Sequence, residues 1–265
     1  MAFTNKQRPE LMSADKSEKP KDALPSWLGT ALILISLFGQ VPKALAEEST
    51  ETLMRTAKSH FDAGEYEKSQ ESLKAALLRE NNNSPKYALC LQNLALLQYL
   101  DFNFQDAEKL YLRAISTCES LYGCDSNAVA NNLYGLSRCL RRSHQFEEAE
   151  HCLDRLLILR SKLFGEDHGL VANTLLDIAV NYEREGKTAE ADQFYQRVIE
   201  LRQKQFGRTS PSLSPFLKTY AKFLHSIQKD ERASQIEARM IELSHSADET
   251  VPHPKEEDGS GWQSK

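Results

Sequence analysis

No charge of one sign dominates this 265-residue chain, which carries 33 basic and 38 acidic residues. When the six basic and four acidic residues before Glu47 are set aside, 27 basic and 34 acidic remain, a net of about −7. That balance argues against general nucleic-acid binding. Catalytic groupings are missing as well: the sequence offers no Ser/His/Asp arrangement, no paired carboxylates and no glycine-rich phosphate loop in a plausible context. Long apolar runs are scarce. The longest, WLGTALILISLFGQV at 27–41, has 15 residues and falls short of the roughly 20 that span a bilayer. Cysteine is sparse and odd in number (Cys90, Cys118, Cys124, Cys139, Cys152), so full pairing would leave a thiol over, although Cys118 and Cys124 are close enough in sequence to pair around a helix end.

What is present begins with a polar, lysine-bearing lead of 26 residues, then the apolar run, then Pro42, Lys43 and Ala44-Leu45-Ala46 before Glu47-Glu48. This order predicts an export signal over 1–46, cleaved near Ala46, and a periplasmic or secreted mature chain; an uncleaved membrane anchor is the alternative. The far end, 247–265, has neither periodicity nor enough apolar residues for a core and is expected to be a disordered tail.

Between them, FEEAEHCLDRLLILRSKLFGEDH (146–168) places His151-Cys152 near Glu166-Asp167-His168, residue types that hold metals. A shift of 42 residues lays FQDAEKLYLRAISTCESLYGCDS (104–126) and TAEADQFYQRVIELRQKQFGRTS (188–210) over it without a gap. Ala107, Ala149, Ala191 and Ala233 keep the step, as do Gly123, Gly165 and Gly207, whereas the metal-ligand types do not. An internal repeat therefore explains the stretch, and neither a metal nor a cofactor is expected. By the same test His144, His151 and His168 read as solvated side chains, and the three glycines as left-handed helix ends.

Each 42-residue unit splits into two amphipathic helices. Leu170, Thr174-Leu175, Ile178-Ala179 and Tyr182 recur at helical spacing, Gly186 interrupts, and Ala191, Phe194-Tyr195 and Val198-Ile199 resume. Small residues at Ala95, Ser137, Ala179 and Ala221 on first helices, and at the four repeated alanines on second helices, predict close approach within each pair. A divergent earlier unit carries Ala57, Gly64, Ser69 and Ala76.

These residues resemble the tetratricopeptide repeat, and the 42-residue step with L-[YF]-G-x-D between units resembles its kinesin-light-chain variant. Family positions match as Leu91, Ala95, Gln98 and Ala107; Leu133, Ser137, Leu140 and Ala149; Leu175, Ala179, Tyr182 and Ala191; and Leu217, Ala221, Leu224 and Ala233, with Asp230 and Glu231 marking a polar-edged last unit. The resemblance implies an all-α, right-handed α-solenoid of about five helix-turn-helix pairs over 47–246. It also implies a non-enzymatic scaffold whose first helices form a concave wall for a peptide or protein segment. The alternatives are a targeting or sensor subunit of an envelope enzyme complex, or an enzyme with a site built across repeats. On the wall fall Gln92, Asn93, Asn131, Tyr134, Arg138, Arg141, Arg142, Asn173, Asp177 and Arg184. Arg138, Arg141 and Arg142 are expected on one helical face, with Arg184 at the repeat position of Arg142, so a carboxylate-bearing ligand is the expected occupant. No nucleic acid is expected as a partner, and membrane contact is expected only if the amino-terminal segment stays uncleaved.

Overall fold

The computed structural model describes residues 49–249, with side chains to 244, and the expected export signal lies outside the described residues. Ten α-helices follow one another: α1 (Thr50–Asp62), α2 (Tyr66–Leu77), α3 (Pro85–Leu100), α4 (Phe104–Tyr122), α5 (Asn127–Arg142), α6 (Phe146–Phe164), α7 (Gly169–Glu185), α8 (Thr188–Phe206), α9 (Ser214–Ser226) and α10 (Asp230–Glu249). One 3-10 turn, Pro211–Leu213, precedes α9, and no strand occurs among the described residues. Each helix packs chiefly on the next in sequence, so the ten make five antiparallel pairs stacked in order. Isolated helices of this length are marginal in water, and the stacking of apolar faces is what holds them.

The starts of the first helices are written locally. Ser49, Ser84 and Ser126 accept N–H groups at the heads of α1, α3 and α5, while α7 departs from this: His168 accepts from the Leu170 N–H through Nδ1 at 3.1 Å. Phe164 stacks on the same imidazole with ring centroids 4.9 Å apart. His168 is therefore a helix cap rather than a bare solvated side chain. Within each pair the turn closes with a backbone bond spanning five residues, such as Lys187 N–H to Tyr182 O at 2.9 Å, around Gly186 in the left-handed region. The glycines between pairs behave differently from expectation. Gly123, Gly165 and Gly207 have φ of 80–90° but ψ of 153–167°, an extended positive-φ conformation rather than a left-handed one, which redirects the chain into the next pair.

The small-residue register holds. Ala95, Ala179, Ala107, Ala149, Ala191 and Ala233 are fully buried, with Ser137 at 1% and Ala221 at 2% exposure. At Gly135 the demand is steric: an added Cβ would sit 2.3 Å from the Tyr111 ring, so the ring of α4 occupies a notch in α5. Helix α10 continues to Glu249, past the expected boundary at 246, because no helix-breaking residue intervenes before Pro252. Cys118 is buried, Cys124 is exposed, and both thiols are free.

Candidate functional site

The side chains expected on the wall divide among six environments. Asn93 lines an open groove of about 470 Å³ between α1 and α3, with Met54, Phe61, Leu89, Leu96 and Leu97 as apolar walls and Lys58 and Asp62 among its polar groups. Gln92 is half-buried on the same helix. One turn along α3 from Leu96, Tyr99 receives the guanidinium of Arg138, 4.5 Å from its ring centroid, and Arg138 also lies 5.6 Å from the ring of Tyr134. The α3 face thus passes from aliphatic to aromatic and cationic within about 5 Å of helix rise.

Arg141 is committed elsewhere. Its two terminal nitrogens donate to the Asp177 carbonyl at 3.0 Å and to the Asp177 carboxylate at 3.1 Å, with side-chain exposures of 13% and 19%. The pair ties α5 to α7 and neutralises both charges, so the two residues expected to face a ligand are engaged with each other. Arg142 also leaves the wall: it lies over the rings of Phe102 and Phe104, at 5.9 and 5.5 Å, beside the α3–α4 turn. Asn131 and Arg184 are exposed. Asn173 accepts a hydrogen bond from the Arg202 guanidinium at the edge of α7. The three arginines of α5 therefore do not form one cluster: Arg141 is tied to Asp177, whereas Arg138 and Arg142, four residues and about 40° apart, lie over the adjacent rings of Tyr99 and Phe104.

Sequence reasoning missed Arg160 and Arg202. They stand 42 residues apart, each is 6% exposed, and neither has an ion-pair partner among the described residues. Arg160 donates to Thr174 Oγ1 at 2.8 Å and to the Leu170 carbonyl at 3.3 Å, and it lies 5.3 Å from the Tyr134 ring centroid. Arg202 stacks 4.3 Å from the Phe216 ring. Burial lowers both guanidinium pKa values. Their shared repeat position was the available signal.

Also missed was the group around Asp192, 7% exposed on α8. Tyr220 donates to it at 2.5 Å, Arg232 at 2.9 Å, and Lys229 and Gln196 at 3.0 Å each. Burial alone would raise the carboxyl pKa, but these hydrogen bonds outweigh it and hold Asp192 well below the usual carboxylate range. Every donor is internal, so the arrangement is a clasp between α8 and the last pair. Burial pushes the Cys90 and Cys139 thiols up to about 12 and that of Cys152 to about 11, so none of the three is a ready thiolate at neutral pH.

Residues 87–157 and 129–204 match a tetratricopeptide-repeat family model in overlapping windows. No curated protein is a match for the chain. Among solved structures, the chain is similar to the tetratricopeptide-like repeats of a putative kinesin light chain from Podospora anserina, at TM-score 0.66 and 14% identity, covering 76% of this chain and 98% of that one. It is similar also to BtubC (BKLC) from P. vanneervenii, at TM-score 0.64 and 18% identity over 91% and 96% of the two chains. MamA from Desulfovibrio magneticus RS-1 follows at TM-score 0.57 and 12% identity over 77% and 99%. At these identities the likeness is one of fold.

Proposed function

We propose that the chain, whose residues 87–204 match a tetratricopeptide-repeat family model and whose fold is similar to that of kinesin-light-chain-like repeats, is a non-catalytic scaffold that holds an extended protein segment along its first helices. The observation that carries this reading is the α1–α3 groove with Tyr99, Arg138 and Tyr134 about one helical turn along α3 from its Leu96 wall, where a guanidinium has no ion pair among the described residues. Apolar recesses hold side chains of the ligand, and a desolvated guanidinium seated on rings favours a carboxylate nearby. The ligand is therefore a segment with an apolar residue and an acidic one. Arg184 at the end of α7 offers a further contact, whereas Arg141 serves the fold through Asp177. The lead before Glu47 supports a place outside the cytoplasm, after cleavage near Ala46.

The test is affinity capture with the mature chain followed by titration of the captured protein. Arg138→Ala combined with Arg184→Ala is expected to weaken binding at least about tenfold at low salt, to reduce its salt dependence, and to leave helix content unchanged. Unchanged affinity in the double variant would remove the acidic ligand. Cross-links confined to second helices would remove the groove.

A further inference from the structure

The turns inside the five pairs share one backbone solution. One or two residues after each first helix the chain enters the positive-φ region, at Gly64, Phe102, His144, Gly186 or Gln228, with φ between 60° and 88°. In each, the following amide bonds back five residues, as Asn103 N–H does to Gln98 O at 2.9 Å. Glycine is the residue that adopts this conformation without strain, and a bulky aromatic there is a genuine outlier. At Phe102 neither backbone nor core is served, since φ is 61° and the ring is 69% exposed.

What surrounds the ring is ordered. Phe104 meets it edge-on at 6.1 Å between centroids, and Tyr99 lies 5.6 Å from Phe104. Arg142 rides over Phe102 and Phe104, and Arg138 over Tyr99. Neither guanidinium makes an ion pair among the described residues. Leu100, 37% exposed, precedes the turn. The result is a strip of alternating rings and uncompensated cations that begins on the first-helix face and ends on a ring held away from the body by a strained turn.

We propose that Phe102 is the anchor of a second contact surface, at the α3–α4 turn, which fits a partner protein presenting an apolar pocket rimmed by carboxylates. A single aromatic ring on a fixed turn suits a pocket, and buried aromatic and arginine anchors dominate protein interfaces. The cations beside it call for acid at the rim, and cation–π contacts strengthen when the strip is desolvated. A lipid surface fits less well, because the body after residue 46 carries a net of about −7 and is repelled by an anionic leaflet. This surface shares Tyr99 and Arg138 with the end of the groove, but its anchor Phe102 and its cation Arg142 lie beyond it.

The experiment places a photo-cross-linking amino acid at position 102 of the full chain, expressed in its own cells, and purifies the protein it captures for titration. Phe102→Gly, the residue used at two sister turns, is expected to keep or raise the melting temperature while weakening binding to the captured protein at least tenfold. Arg142→Glu is expected to weaken it comparably, and Arg184→Ala, which lies outside the strip, to leave both the position-102 adduct and the affinity in place. The proposal is overturned if no protein adduct forms, if the adduct is to lipid or to a second copy of the chain, or if Phe102→Gly binds the captured protein with wild-type affinity. A drop in melting temperature in Phe102→Gly with unchanged binding would assign the ring to the fold instead.

Discussion

The two ends of the described solenoid are held together by different physics. In the first pair, α1 meets α2 through Leu53, Ala57, Leu73 and Ala76, and the buried polar link is the Ser69 hydroxyl donating to the Ala57 carbonyl at 2.7 Å. In the last, α8, α9 and α10 close around Asp192, and Tyr195, Tyr220 and Phe223 stack beside it, with centroids 4.9 to 6.5 Å apart. The apolar end keeps an open groove between α1 and α3. Non-directional packing tolerates an open face, whereas a carboxylate with four donors fixes its neighbours at hydrogen-bond distance.

The sharpest way to break the contrast is Asp192→Ala. It leaves the buried Tyr220 hydroxyl without its acceptor, while Lys229 and Arg232, each 44% exposed, turn to water, so the cost is about 2 kcal/mol. Because stacked repeats open locally, the loss is expected as a rise of roughly 30-fold in amide exchange across α9 and α10, with α1 to α4 little changed. The pH dependence has a definite sign. The folded-state pKa of Asp192 is depressed, so its contribution is complete above the unfolded carboxylate value of about 4 and drains as pH falls below it. The exchange difference between wild type and Asp192→Ala should thus be constant from neutral pH down to about pH 5 and should narrow below pH 4. A gap that widened on acidification would contradict the hydrogen-bonded carboxylate.

Ser69→Ala probes the other end and should do less. One buried hydroxyl bond to a carbonyl that also serves its own helix is worth about 1 kcal/mol, or a few-fold faster exchange in α1 and α2. If Ser69→Ala equalled Asp192→Ala in effect, the two ends would not differ in kind.

Most of the architecture could be read from the residues because it rests on local periodicities. The 42-residue step located eight of the ten described helices and a divergent unit the other two, the small residues marked close approach, and Gly186 marked a turn. The site was less legible for reasons that concern side-chain reach. Asp192 follows Ala191 on a helix otherwise polar on that side, and its cationic partners lie 37 and 40 residues away, so nothing local distinguishes it from a solvated acid. Arg138, Arg141 and Arg142 looked equivalent in sequence, but one found rings, one found Asp177 and one crossed to the preceding turn. His168 reads as a loop histidine until its Nδ1 is seen on the amide of Leu170. Phe102 is visible only as a ring where sister turns carry glycine or a polar residue.

The ring of Tyr111 seated over Gly135 bears on how such an array can change. One step along the chain the same two positions hold Leu153 and Asp177, and a step further Tyr195 and Thr219. Each seam has its own key, so the units share a period without being exchangeable parts. Deleting or shuffling one whole unit would preserve every helix pattern and still bring a tyrosine against aspartate or threonine where the glycine notch had been. A lineage of this protein can therefore substitute residues within its seams far more readily than it can reorder, shorten or lengthen the stack.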